Sequence, residues 1–390
     1  MTTRVTSSVR LPAEPSHTIR VECIDSTWGL TSLRPAWNEL LRASAADSPF
    51  LTWEWLQAWW RHAHGRADLS VLAVRDGTTL IAVAPLMVSR GVVSWFSRLE
   101  FLGGGHAGSD YLDVIVRIGH ETEALDALAE WIRTRKMALA MGHLPVGSMG
   151  ARLAERLASE GWVSSIAPDG ACPIVPLAGH TWDSYLATLG SSHRANVRRR
   201  LRVAEQQLAM RFEPVATEPE RLTALEVLFG FHERRFRAEG GSTAFLTPAL
   251  RAFHHSASRR ALSLGWLRMY VLSLNDVPAA VMYGFCYNRQ FYFYQHGFDD
   301  RYASHSVGLV LMACTVRSAI GEGAELFDFL WGTEGYKDLW TREARALCRV
   351  QLFPPHAVGT IHRRALDLRR RLGRLARVAR IAGAPHARPA

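Results

Sequence analysis

At 390 residues the chain is too long for one ordinary hydrophobic core, so two domains of roughly 150 to 200 residues are expected. Its 48% hydrophobic and 21% charged residues are those of a soluble globular protein. No run reaches 18 apolar residues and no N-terminal stretch has the apolar core of a signal peptide, which argues against a membrane span and for a cytoplasmic location. The net charge is +10, yet among 46 basic residues only Lys136 and Lys337 are lysine. The ordinary reading of that imbalance is codon bias in a GC-rich genome, yet it makes Lys337 conspicuous, because Arg cannot replace a compact or titratable amine. The five scattered cysteines form no CxxC pair. They suggest a reducing compartment and no metal site, with Cys286 and Cys314 buried in apolar runs.

Residues 1–18 read as a disordered lead-in. HTIRVECI is then a strand, and Trp28 to Ser44 a helix with Leu33, Trp37, Leu40 and Leu41 on its apolar face. In PFLTWEWLQAWW, Thr52 is a plausible helix cap, and Leu51, Trp55 and Trp59 recur four residues apart. With thirteen Trp in the chain, Trp53, Trp55, Trp59 and Trp60 have two readings, core stripe or sugar-stacking surface. Asp76–Gly77 marks a hairpin between two strands. SDYLDVIV reads as a further strand, HETEALDALAEWIRTRK as a helix and MALAMGHL as a strand. ARLAERLASEG reads as a helix, and WVSSIAPDGACPIVPL as strand-like pieces.

The second half repeats this order loosely, with a break expected near Pro176 to Thr181. Helices are expected over 181–209, 219–239 and Thr247 to Leu264, the last opened by Thr247–Pro248. Three strands follow, turning at Asn275–Asp276 and Asn288–Arg289. The third ends in FYFYQHGFDD. RYASHSVG then leads into the apolar helix LVLMACTVRSAIGEG, the strand AELFDFLWG and a closing TEGYKDLW. A strand, a turn and a helix in this order can present backbone N–H groups to a phosphate. Two mixed α/β halves suggest a duplication: residues 19–178 and 179–355, followed by a basic amphipathic tail at 356–390. That tail suits either an anionic membrane surface or packing on its own domain.

PFLTWEWLQAWW, HRANVRRRLRVAE, GFDDRYASHSVGLVL and FDFLWGTEGYKDLW together resemble the GNAT superfamily of acyltransferases. The resemblance is to the CelD/BcsL-like branch associated with cellulose and exopolysaccharide biosynthesis, which is related to the Fem-type aminoacyltransferases. It spans about residues 25 to 345. It implies tandem GNAT-like α/β domains, an acyl donor such as acetyl-CoA, and an amine or hydroxyl acceptor related to sugars or the cell envelope. No permanently bound cofactor is implied. The family's Q/R-x-x-G-x-G/A pyrophosphate loop is represented by Arg301 to Gly308 with a single glycine. That departure keeps an acyl carrier protein, a charged tRNA and a non-catalytic scaffold open as alternatives.

On this reading the N–H groups of Ser306, Val307 and Gly308 bind the pyrophosphate, with Arg301 or His305 adding charge. The other reading is that Ser304 or Ser306 merely caps the helix. Gln295, His296 and Gly297 close the preceding strand. The resemblance implies that this strand splays from its neighbour and polarises the thioester. Gly297 suits the bulge such splaying needs, and His296 reads either as a general base with an unperturbed pKa suited to pH 7 or as a satisfied structural histidine. Asp328 among aromatics needs a partner, whether a substrate proton, Arg or Lys. Lys337 suits a phosphate or substrate carboxylate, and Tyr336 the protonation of the leaving thiolate. Arg194, Arg198 and Arg202 line one helical face and read as either a solvated stripe or a site for an anionic substrate.

Overall fold

The computed structural model describes residues 19–90, 97–105, 108–239, 244–332 and 334–355, so the expected lead-in and basic tail lie outside it. The first half runs β1 (Ile19–Ile24), α1 (Thr27–Ser32), α2 (Arg34–Arg42), α3 (Trp53–Ala63), β2 (Asp68–Leu69), β3 (Val71–Asp76), β4 (Thr79–Ala84), β5 (Leu86–Ser89) and β6 (Arg98–Phe101). It continues through β7 (Ile115–Val116), α4 (Glu121–Arg135), β8 (Ala138–Pro145), α5 (Met149–Ser159) and β9 (Val163–Pro176). The second half comprises α6 (Trp182–Thr188), α7 (Ser191–Gln207), β10 (Arg211–Pro214), α8 (Glu218–Glu239), α9 (Pro248–Ser263), β11 (Leu267–Leu274), β12 (Val277–Tyr287) and β13 (Gln290–Phe298). It ends with α10 (Val307–Gly321), β14 (Leu326–Asp328) and β15 (Glu343–Phe353).

Local chemistry explains most of these boundaries. Thr52 caps α3 by accepting the Trp55 N–H, and Thr247 caps α9 from Leu250, with Pro248 in the first turn. Asn275, Asp276, Asn288 and Arg289 all have positive φ, the backbone that two-residue hairpin turns require. The single helix expected over 28–44 is two. Pro35 opens the second after a break at Leu33, although Leu33, Trp37, Leu40 and Leu41 are all buried. The strand expected over 109–116 shrinks to Ile115–Val116, because Asp113 bonds to backbone N–H groups instead of leaving them to a ladder. All five cysteines are free thiols. Cys314 is buried as expected, Cys286 only partly.

β1, β3, β4 and β7 form a small antiparallel sheet. The other eleven strands form one sheet in the order β10-β11-β12-β13-β14-β9-β15-β8-β6-β5-β2, antiparallel except at β13–β14 and β6–β8. The last strand, β15, lies between β9 and β8, so both halves share this sheet. They share a core too. Trp55 packs edge-on against Phe50, Phe253, Phe285 and Tyr294, joining α3 to α9, β12 and β13. The tryptophan stripe is therefore core, with Trp53, Trp55, Trp59 and Trp60 all buried. A second core fills the opposite face of β11 to β14 under α6, α7 and α10.

Candidate active site

The parallel pair β13–β14 is the opening in the sheet. Its register runs from Gln290 opposite Leu326 to Tyr292 opposite Asp328 and stops there. β13 continues to Phe298, while the other chain turns away. Phe329 donates to the Pro173 carbonyl of β9, Leu330 adopts φ 58°, and Trp331 donates to Asp110. Beside the free part of β13 lies a cleft of about 260 Å³, lined by His193, Arg235, His296, Phe298, Gly308, Met312, Tyr336 and Trp340.

The N-terminus of α10 opens on this cleft. Ser306 is left-handed (φ 55°) and neither it nor Ser304 caps the helix through its side chain. The Ser306 N–H, expected to serve the pyrophosphate, is instead taken by the Ala303 carbonyl at 2.9 Å. Leu309 and Val310 donate back to the Ser306 carbonyl, so Val307 and Gly308 carry the first N–H groups, which precede the helical ladder. A Cβ at Gly308 would stand 3.5 Å from the Phe298 ring, so the helix passes close to the strand end. Arg200 of α7 donates to the Ser304 carbonyl at 3.0 Å, and Arg235 lies over the Phe298 ring. Neither role was visible in sequence beyond the basic character of α7. Arg301 is engaged by the Asp299 carboxylate at 2.8 Å, and His305 sits beside Tyr302.

The expected stripe on α7 divides. Arg194 donates to the Ala187 and Leu189 carbonyls at the end of α6, Arg198 lies 3.7 Å from Asp183, and Arg202 is exposed. Gln295, His296 and Gly297 do lie on the splayed part of β13. Burial, with His232 and Arg235 nearby, pulls His296 down to a pKa of about 4, in place of the unperturbed value expected. Gly297 pairs in regular register with Val281. The bulge lies instead at Gly284, whose Cβ would overlap the Tyr292 carbonyl oxygen. Gly297 is needed for close packing, since a Cβ there would come within 3.0 Å of Phe231 on α8.

Asp328 is fully buried and has the partners its position demands. The Tyr111 hydroxyl donates at 2.6 Å, the Leu330 N–H at 2.8 Å, and Arg345 lies 3.6 Å away. Burial still dominates and raises its pKa to about 6. Lys337 is buried rather than presented on an open loop. Its ammonium donates to the Leu330 and Trp331 carbonyls at 3.3 Å each and pairs with Glu334 at 3.0 Å. It holds the splayed arm. Tyr336 lines the cleft with its ring 6.1 Å from that of His296, and burial raises its pKa.

Sequence reasoning missed a polar cluster behind this arm. Tyr111 and His143 both have positive φ. Asp110 accepts the Trp331 N–H at 2.9 Å and lies 3.3 Å from His143 Nδ1. Asp169 accepts the His143 N–H and pairs with Arg349, and its carbonyl accepts the Trp331 indole N–H. The only sequence signals were two aspartates in a segment that alternates like a strand and a glycine before His143. A second cavity of about 650 Å³ reaches this cluster from the first half, between Trp59, Gly104, Gly105, Gly142, His143 and Leu250.

Residues 191–338 match the family described as acetyltransferase (GNAT) domain. No curated protein matches the sequence. Among solved structures the chain is similar to FemX, at 10% identity and a TM-score of 0.59, over 83% of this chain and 96% of FemX. It is also similar to a conserved protein of unknown function from Bacteroides thetaiotaomicron VPI-5482, at 14% identity and a TM-score of 0.55, over 86% and 100% of the two chains. L-PGS from Bacillus licheniformis is similar at 12% identity and 0.52, over 87% and 96%. At such identities the likeness speaks for the fold alone, and that fold is GNAT-like.

Proposed function

We propose that this chain is an acyltransferase that takes an acyl thioester, most simply acetyl-CoA, in the β13–β14 cleft and passes the acyl group to an amine or hydroxyl. One observation carries the reading. β13 runs on past its parallel pairing with β14 beside a helix N-terminus that no side chain caps, and both line the same cleft. The apolar walls from Phe298, Met312 and Trp340 suit a pantetheine arm. The first N–H groups of α10, with Arg200 and Arg235 close by, suit a pyrophosphate. N–H groups of β13 past Tyr292, where pairing with β14 ends, would polarise the thioester carbonyl. Tyr336 would donate a hydrogen bond to the leaving sulfur. At a pKa of about 4, His296 is a weak proton acceptor at neutral pH.

The acceptor class we favour is sugar- or envelope-related, in keeping with the CelD/BcsL-like resemblance. The resemblance of the sequence to the Fem-type aminoacyltransferases keeps an aminoacyl-tRNA donor as the second reading. Calorimetric titration with acetyl-CoA and desulfo-CoA tests the first. Gly308→Trp fills the cleft against Phe298 and is expected to abolish micromolar binding while leaving the melting temperature within a few degrees. An absence of binding to the wild-type chain would sink the acetyl-CoA reading and advance carrier-protein thioesters, aminoacyl-tRNA and a non-catalytic scaffold.

A further inference from the structure

We propose that His143 and Asp110 form an acid–base dyad facing the 650 Å³ cavity, with His143 accepting the proton of the attacking amine or hydroxyl. The inference rests on the thioester reading of the β13–β14 cleft. Three features of the chain place the dyad. First, β8 bulges at its site. Leu144 pairs with Cys348 and Met141 with Val350, so Gly142 and His143 together oppose Arg349 alone. A bulge re-aims a side chain out of the regular pleat, and His143 takes φ 53° to do so. A matching irregularity in β9 sets Asp169 and Gly170 opposite Leu347, and the Asp169 carboxylate holds the His143 N–H at 3.0 Å.

Second, the imidazole stands against a carboxylate in a charge contact rather than a hydrogen bond. Nδ1 is buried and lies 3.3 Å from Asp110 Oδ1, while a third of the side chain is exposed. With Nδ1 taken up against Asp110, Nε2 is the ring nitrogen left to act as the base. Asp110 is itself buried, and its second oxygen accepts the Trp331 N–H. Third, Trp331 belongs to the arm that splays from β13, and its ring stands edge-on to His143 at 5.3 Å. The stretch that leaves β13 at the splay thus ends against the dyad.

The charges facing the imidazole are Asp110, Asp169 and Arg349. On the cavity wall, Arg98 is paired with Glu100 and Arg90 with Asp68, Arg66 is exposed, and His64 is turned to the Trp60 carbonyl. Asp110 lifts the His143 pKa above its ordinary 6.5, against burial. In the reaction the acceptor's lone pair forms the new C–N or C–O bond and its proton passes to Nε2. The thioester C–S bond breaks, and the departing thiolate recovers a proton from the imidazolium.

The test compares the full-length wild type, His143→Gln and Asp110→Asn. Thiol release from acetyl-CoA is followed against pH, to D-glucosamine and to water, alongside acetyl-CoA binding and NMR titration of the His143 ring. His143→Gln is expected to bind acetyl-CoA like the wild type, lose turnover by about 10²-fold and lose the rising limb of kcat/KM against pH. Asp110→Asn keeps that limb but shifts it to lower pH. A His143→Gln protein that retains turnover and limb overturns the proposal. Should wild type fail to bind acetyl-CoA, the thioester reading falls on its own and the NMR arm decides the dyad. A ring titrating above 6.5 that drops in Asp110→Asn supports it, and a ring indifferent to Asp110 refutes it.

Discussion

Lys337 separates two accounts of the same residue, ligand cation or internal clamp, and Lys337→Met distinguishes them. Met keeps most of the buried stem, so packing is largely conserved and the loss falls on the ammonium. Its two carbonyl contacts at 3.3 Å are long, which places each near the low end of the roughly 1 to 3 kcal/mol cost of an unsatisfied buried group. Glu334 is half exposed and can be solvated once its partner is gone. Relief from burying a charge offsets part of the loss. A net destabilisation of about 2 kcal/mol follows, which for a domain of this size lowers Tm by about 4 to 8 °C. Differential scanning calorimetry measures the drop, and titration with acetyl-CoA measures the cleft. The expected result is a lower Tm with affinity reduced only severalfold. An unchanged Tm with affinity lost by tenfold or more would put the ammonium on the ligand and refute the clamp.

Asp328 titrates near 6 in the folded chain, against 3.8 for a free carboxyl, so the folded state binds the proton more tightly. Its ionisation therefore removes stability as pH rises from about 4 to 6, and Asp328→Asn should gain about 1 to 3 kcal/mol relative to wild type over that window. Melting scans from pH 4 to 7 check this, and a constant difference between the two proteins would contradict it. Gly284→Ala drives a Cβ into the Tyr292 carbonyl at the β12–β13 bulge. A loss of about 2 kcal/mol or more is expected as a lower urea midpoint with an unchanged slope, and an unchanged midpoint would show that the bulge can relax.

What the sequence made legible was the part whose cause is local. Asn275, Asp276 and Asn288 announce left-handed turns because short polar side chains tolerate that backbone. The stripe through Trp55 and Trp59 announces a buried face because its period is helical. What stayed hidden depends on distant partners. β15 carries no strong turn signal, and its place is set by β9 and β8, roughly 170 to 210 residues earlier. The run SDYLDVIV alternates like a strand. Its aspartates instead bond to Trp331, Met149 and Gly150, so most of it is a loop. Lys337 stood out by rarity, yet its burial came from an arm whose course the sequence did not show. His143 gave least warning, since only the bulge of β8 turns it toward the cavity.

The arm from Phe329 to Trp331 explains why these features converge. β14 is only three residues long, and beyond Asp328 the sheet holds Phe329 alone, through the Pro173 carbonyl of β9. Side chains from elsewhere hold the rest. Asp328 takes the Leu330 N–H, Asp110 the Trp331 N–H, and Lys337 both of their carbonyls. The Trp331 indole donates to the Asp169 carbonyl and lies against Gly170, where any Cβ would meet the ring. A left-handed Leu330 persists under such constraint because its neighbours over-determine it. Asp110 and the His143 ring meet this arm at Trp331, and Tyr336, the neighbour of its clamp Lys337, lines the cleft proposed for the thioester. On the proposed reading, an arm held at this many points fixes where His143 meets the acceptor, which favours direct attack without a covalent enzyme intermediate.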